Sequence, residues 1–126
     1  MKTRERFTEP MYAIFRLVTG ALFTCHGAQK LFGVLGGHQM LAGKMLVAGI
    51  VEFGGGVLVA VGLFAGVAAF IASGQMAFAY FTVHAPGGFW PIVNHGEPAV
   101  FYCFAFLFIA AHGAGRWSLG GIFSRR

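Results

Sequence analysis

An apolar run over residues 45–83 constrains this chain more than any other feature, because Glu52 is the only charged residue within it. At about 1.5 Å per residue, one continuous helix over the run would be nearly twice as long as the roughly 30 Å hydrocarbon thickness of a bilayer. The run therefore predicts two membrane-crossing helices. Gly62 and Gly66 mark the turn between them.

The composition agrees with a membrane environment. Hydrophobic residues make up 57% of the 126 residues and charged residues only 10%, with a mean hydropathy of +0.73. Soluble domains carry about 25% charged residues, so this chain cannot cover itself with a wettable surface. These values exclude intrinsic disorder, a coiled coil and an ordinary cytosolic enzyme. They predict a single-domain integral membrane protein.

Two further apolar runs complete the predicted fold, which is an all-α bundle of four transmembrane helices. The predicted spans are residues 11–32, 45–64, 67–83 and 99–114. Arg16 interrupts the first run, so we do not expect a secretory signal peptide. Basic residues gather near both ends of the chain, at Lys2, Arg4, Arg6, Arg116, Arg125 and Arg126. By the positive-inside rule both termini are predicted to be cytoplasmic. The basic residues then orient the chain in the lipid bilayer, and we do not expect it to bind nucleic acid.

Polar side chains inside lipid are costly, so each one requires an explanation. On the first helix Arg16, His26 and Lys30 fall within an arc of about 80°. On the second helix Glu52 lies about 12 Å below the outer end, near the level of His26. We expect Glu52 to meet His26 or Lys30. The pair is then either a structural lock between two helices or a group that handles protons.

Seven polar residues from four helices and one loop fall in the outer half of the predicted bundle and suggest a common pocket or network. They are His26, Lys30, Glu52, His84, Asn94, Glu97 and Tyr102. Asn94 or Glu97 also suits the N-terminus of the fourth helix as a cap. The predicted pocket lining consists of Phe23, Gly55, Gly56, Met76 and Tyr80, with the two glycines leaving room for a partner side chain or a ligand.

Cys25 and Cys103 lie at similar predicted depths, so a thiol pair is an alternative to the default of two buried free cysteines. The sequence contains no zinc-binding pattern, and we predict no metal site and no covalent cofactor. Haem ligation by His26 and His84 stays open as an alternative. So does a metal site built from His84, His95 and Glu97.

The chain resembles the DoxX family over nearly its whole length. The matching residues are Arg16, the run Phe23–Gly33, the run Glu52–Gly56 with Gly62 and Leu63, Met76, His84, the run Asn94–Glu97, Tyr102, and Gly113–Gly115 followed by Ser118 and Leu119. The family often has aspartate after the Ser-Leu pair, where this chain has Gly120. The resemblance implies a four-helix bundle of a bacterial-type inner membrane. It also implies association with redox complexes, since the family is named for similarity to the small membrane subunit of a thiosulfate:quinone oxidoreductase.

The leading hypothesis is a quinone-linked membrane subunit that works with a redox protein partner. His26 or His84 would bond a quinone carbonyl, Glu52 would carry a proton, and Lys30 would tune Glu52. If the chain is enzymatic at all, it is an oxidoreductase subunit, and we expect no turnover by the isolated chain. A non-catalytic anchor or assembly scaffold and a small-molecule binding protein are the alternatives, and homo-oligomerisation stays open.

Overall fold

The computed structural model describes residues 2–124, and this part of the chain contains helices and no β-strand. The all-α prediction is therefore confirmed. The helices are α1 (Lys2–Phe32), α2 (Gly43–Val61), α3 (Ala65–Gly87), α4 (Pro91–Asn94), α5 (Glu97–His112) and α6 (Leu119–Ser124). Arg125 and Arg126, which the sequence analysis assigns to the cytoplasmic side, lie outside the described residues.

Among the described helices, α2 and α3 are long and apolar enough to cross a membrane, with mean hydropathies of 1.8 and 1.4. Helix α5 is equally apolar in character but has only 16 residues. Helix α1 begins at Lys2, so it is longer than the predicted span 11–32. Its additional first turns carry the charged residues that precede the apolar run.

Small side chains fill the contact between α3 and α5, and most of the large apolar side chains cover the outside. The face of α3 that packs on α5 buries Ala65, Ala68, Ala69, Ala72 and Ser73. Phenylalanines point outward instead, including Phe64, Phe70, Phe81, Phe101 and Phe104. Soluble proteins bury their large apolar side chains, whereas helices in lipid bring small residues together at their contacts. This distribution is typical of a lipid-facing surface.

Glycines bring the backbones of α1 and α2 into direct contact. A Cβ built on Gly56 would lie 2.6 Å from the backbone nitrogen of Thr24, and one built on Gly20 would lie 2.6 Å from the Gly56 oxygen. A Cβ on Gly27 would similarly meet Phe53, at 2.7 Å from its Cα. The two helices can lie this close only because these positions carry no side chain.

Arg16 ties three segments together at the end of the molecule that holds the α2–α3 turn. Its guanidinium donates from Nε to the Val59 oxygen (2.9 Å) and from Nη1 to the Ala114 oxygen (2.6 Å). Nη2 lies 3.3 Å from the carbonyl oxygens of Ala60 and Trp117. Val59 and Ala60 lie in the last turn of α2, where carbonyl oxygens carry partial negative charge, and Ala114 and Trp117 follow the end of α5, so a cation is stabilised among them. The side chain is consequently buried, with 4% exposure.

The first half of α1 also contacts the end of α5. The Tyr12 hydroxyl donates to the Gly113 oxygen at 2.6 Å, and its ring stacks on His112 with centroids 3.8 Å apart. The Glu9 carboxylate accepts a hydrogen bond from the Arg116 backbone nitrogen (3.1 Å) and lies 3.7 Å from His112 Nε2. These contacts hold the N-terminal and C-terminal segments at one end of the fold.

The glycine contact between α1 and α2 predicts that the effect of a glycine-to-alanine substitution on stability depends on which glycine is replaced. Gly56→Ala should lower the unfolding free energy by about 1–3 kcal/mol, because the new methyl group collides with the α1 backbone. Gly54→Ala is the matched control, since a Cβ there meets no atom within 4 Å. The control should be neutral or slightly stabilising, as alanine favours the helix. Unfolding of both variants with a denaturing detergent measures the difference in their unfolding free energies. Equal stability of the two variants would contradict the contact.

Candidate functional site

A pocket of about 260 Å³ lies among α1, α2, α3 and α5. Most of its wall surface is apolar, and its polar groups belong to His26, Lys30, Glu52, Gln75, His84 and Tyr102. Of the residues that the sequence predicts for the site, it is lined by Phe23, His26, Lys30, Glu52, Met76, His84 and Tyr102. The fold thus brings these side chains together from four separate helices.

Glu52 is the centre of the polar side of this pocket. One carboxylate oxygen lies 2.7 Å from Lys30 Nζ of α1, and the other accepts from Gln75 Nε2 of α3 at 2.6 Å. Glu52 is 3% exposed, while the Lys30 side chain keeps 20% exposure. A buried carboxylate needs such partners because it has left water. The single Glu52 side chain therefore links α1, α2 and α3.

The amide of Gln75 has one atom still without a partner. A carboxylate held by a lysine ammonium group acts as an acceptor, so the Gln75 nitrogen must face Glu52. That orientation turns Oε1 away from Glu52. Oε1 is buried and makes no hydrogen bond within residues 2–124. Buried polar atoms are nearly always bonded, so this oxygen marks a place for a hydrogen-bond donor.

Two π-helical segments border the pocket, Val51–Gly55 in α2 and Tyr80–His84 in α3. The first contains Glu52 and the second ends at His84. Such segments are rare and are often found at functional sites, because an extra residue in a turn redirects a side chain. The apolar periodicity of the sequence gives no signal for them.

Aromatic rings from α1 and α5 form another part of the pocket wall. The Tyr102 ring meets His26 edge to face with centroids 5.8 Å apart, and it lies 5.3 Å from the Phe23 ring. Phe23 in turn packs on Phe106 at 4.6 Å. Phe23 and Phe106 are fully buried, whereas His26 is exposed at the rim. The wall is thus packed and apolar at its buried side and polar at its exposed edge.

Asn94 and Tyr80 do not line this pocket, contrary to expectation, because they organise the loop that follows α3. Asn94 Nδ2 donates to the Tyr80 hydroxyl (3.0 Å) and to the Gly88 oxygen (2.8 Å), while its Oδ1 accepts from the Gly96 nitrogen (2.8 Å). The Tyr80 hydroxyl donates to the Phe89 oxygen at 2.7 Å. His84 Nδ1 lies 3.2 Å from the Asn94 oxygen, so this network positions one pocket residue indirectly.

Glu97, Gly55 and Gly56 also lie outside the pocket. Glu97 is exposed in the first turn of α5, where its charge suits the helix dipole. The N-cap of α5 is Gly96, and no side chain caps it, so neither Asn94 nor Glu97 fills that role. Gly56 packs against α1, and a Cβ on Gly55 would meet no atom within 4 Å. Glycine spacing alone does not distinguish a helix contact from a pocket wall.

The two cysteines are free. Cys25 is exposed, whereas Cys103 is partly buried with its sulfur 3.5 Å from Ser73 Oγ. Within the described part of the chain no three histidine, cysteine or acidic side chains gather as metal ligands. His95, the third member of the alternative metal set, is exposed, as is Glu97.

Gln75 and Arg16 are the residues whose contacts the sequence analysis does not anticipate. Gln75 is an amide in the middle of an apolar helix, and the cost of such a group in lipid is the signal that identifies it. Arg16 carries the same signal, but its partners are backbone carbonyls, which a sequence does not single out.

The Lys30–Glu52 pair predicts coupled effects on stability. Lys30→Met should cost about 2 kcal/mol, less than the ~3–5 kcal/mol of a fully buried pair, because Lys30 is partly exposed. Adding Glu52→Gln to Lys30→Met should recover part of the loss, since no buried charge is then left alone. Denaturant unfolding of both single variants and the double variant measures the coupling, with Glu97→Gln as an exposed control. Strictly additive losses would show that the pair is not coupled.

Comparisons with known proteins agree with the resemblance seen in the sequence. The DoxX family model matches residues 11–85, which is more than half of the chain. A protein of Haemophilus influenzae described as uncharacterized is 37% identical over 134 residues, with 100% of both chains covered. No solved structure matches the chain. The chain therefore belongs to the DoxX family of membrane proteins.

Proposed function

We propose that this protein is a membrane subunit of a quinone-linked redox complex. It crosses a bacterial inner membrane with four helices and keeps both termini in the cytoplasm. Its pocket binds the quinone, and a redox protein partner exchanges electrons with it. The observation that carries the proposal is the Lys30–Glu52–Gln75 group, a charged and hydrogen-bonding cluster at one side of an otherwise apolar pocket.

Two features support the proposed topology. The contacts of Glu9 with His112 and Arg116 bring both ends of the chain together, and the basic residues Arg4, Arg6 and Arg116 belong to these ends. Helix α1 has 31 residues and is therefore about 46 Å long, well beyond the roughly 30 Å of hydrocarbon. Its charged first turns would then project from the cytoplasmic face.

The lining of the pocket supports a quinone ring as its ligand. Phe23, Met76 and Tyr102 give it apolar and aromatic walls, as ring-binding sites require. The buried Gln75 Oε1 adds an acceptor without a partner for a ligand hydroxyl, and Lys30 adds a donor for a ligand carbonyl. These are the two hydrogen-bonding modes that the oxidised and reduced forms of the ring need.

When bound, a quinone supplies two-electron, two-proton redox chemistry. In this arrangement the Lys30 ammonium group would donate to a carbonyl oxygen, and the Glu52 carboxylate, which holds that ammonium group in place, would be the nearest group to accept a proton from the reduced ring. His26 lies at the exposed rim, where it would connect the pocket with the periplasmic surface of the inner membrane. His84 is fixed by its contact with the Asn94 oxygen and orients the ring from α3. The packed rings of Phe23 and Tyr102 would shield the ring from water on their side.

Quinone retention tests this function directly. Protein purified in mild detergent should yield bound quinone on solvent extraction, measured by chromatography. Glu52→Gln should lower the quinone affinity by about 10- to 100-fold, because a charged hydrogen-bonding group contributes roughly 1.5–3 kcal/mol. Glu97→Gln is the matched control, since Glu97 lies outside the pocket, and it should retain quinone as the unmodified chain does.

The opposite result would favour the scaffold alternative. If Glu52→Gln retains quinone at the normal affinity but no longer folds, the Lys30–Glu52 pair locks helices and does not serve a ligand. The same conclusion follows if the unmodified protein retains no quinone from membranes that contain it.

A further inference from the structure

We infer that the ligand reaches the pocket sideways from the bilayer, through the gap between α2 and α3, and leaves its apolar tail in that gap while bound. This inference rests on the proposed function, because it requires a ligand dissolved in the membrane. It adds the route, the position of the tail and the form of the head group that the site prefers.

A second cavity carries the argument. It has a volume of about 350 Å³ and lies between α2 and α3 on the outside of the fold. Five residues line both this cavity and the pocket: Met45, Ala48, Gln75, Ala79 and Val83. The two spaces are therefore separated by no more than this one layer of side chains. Ala48 and Ala79 are its smallest members, so the layer is thinnest where they lie.

The outer side of the gap faces the lipid. Val47 is 61% exposed, Phe78 57% and Val83 68%, and all three belong to the wall of the second cavity. Lys44 is the charged member of this wall, and it lies near the start of α2. Below Lys44 the wall is apolar except for Thr82 and Gln75. An acyl or prenyl chain can occupy such a wall, whereas a water-soluble ligand gains nothing from it.

Gln75 stands at the junction and selects the head group. Its nitrogen is held by Glu52, and its buried oxygen lacks a donor. Once the Gln75 side chain turns this oxygen toward the pocket, a hydroxyl on the ligand satisfies it, whereas a methoxy group at the same place leaves it unsatisfied. The ligand class is therefore a single-chain amphiphile with a hydroxyl-bearing ring, such as a hydroquinone, which is the reduced form of a quinone.

Photolabelling of the full chain in lipid nanodiscs tests the route. The probe is a hydroquinone with a decyl tail that ends in a diazirine, and labelled peptides are identified by mass spectrometry. Label that unlabelled decyl hydroquinone competes away should concentrate on residues 44–48 and 78–83. Helix α1 and the outer face of α5, which also border an apolar groove through Met11 and Phe104, serve as the internal control.

The outcomes separate the route from the function. Competed label on α1 or the outer face of α5 overturns the lateral route, while the competition itself still supports a quinone site. The absence of any competed label overturns both the route and the proposed function. Label on the α2–α3 gap supports both.

A pair of probes tests the selection by Gln75. The unmodified chain should bind decyl hydroquinone at least tenfold more tightly than its dimethyl ether. Gln75→Leu should abolish most of this preference, because the leucine side chain cannot accept a hydrogen bond. If Gln75→Leu does not fold, the preference of the unmodified chain decides the matter alone. Equal affinity of the unmodified chain for both probes overturns the assignment of Gln75 as the selecting residue.

Discussion

The carboxylate of Glu52 is the constraint on which this structure depends. A charge in an apolar interior must be compensated, and the compensation comes from Lys30 on one neighbouring helix and Gln75 on another. Three helices are thereby fixed at one level. The same arrangement leaves a charged donor and an unbonded amide oxygen at the side of an apolar pocket. The structural role and the proposed ligand-binding role thus rest on one set of side chains.

The two ends of the fold are organised differently. At the end that holds both termini, Arg16 binds four backbone carbonyls and fixes the turn between α2 and α3. At the other end, the pocket is bordered by two π-helical segments and by a gap between α2 and α3. Between them, Gly20 and Gly56 allow the backbones of α1 and α2 to lie in direct contact. Tight packing at one end and an open gap at the other suit a protein that admits a ligand from one side.

Much of this site could be predicted from the sequence by one rule, that ionisable groups in apolar runs need partners. The rule finds Glu52 and its approach to Lys30, because helix geometry fixes their depth. It fails for Asn94, whose bonds are to loop atoms, and for Glu97, which lies at an exposed helix start. It also cannot assign Gly56 to a helix contact instead of a pocket, since a missing side chain suits either. The π-helical segments and the α2–α3 gap depend on tertiary packing, which leaves no local pattern.

The most direct test observes the Glu52 carboxylate itself. The chain has four acidic side chains, all of them glutamates, so carboxyl-labelled glutamate gives a small set of carbon resonances in bilayer samples. Glu52→Gln identifies the one that belongs to the pocket. On addition of decyl hydroquinone this resonance should move while those of Glu5, Glu9 and Glu97 stay in place. A Glu52 resonance that is unchanged at saturating ligand would contradict the account.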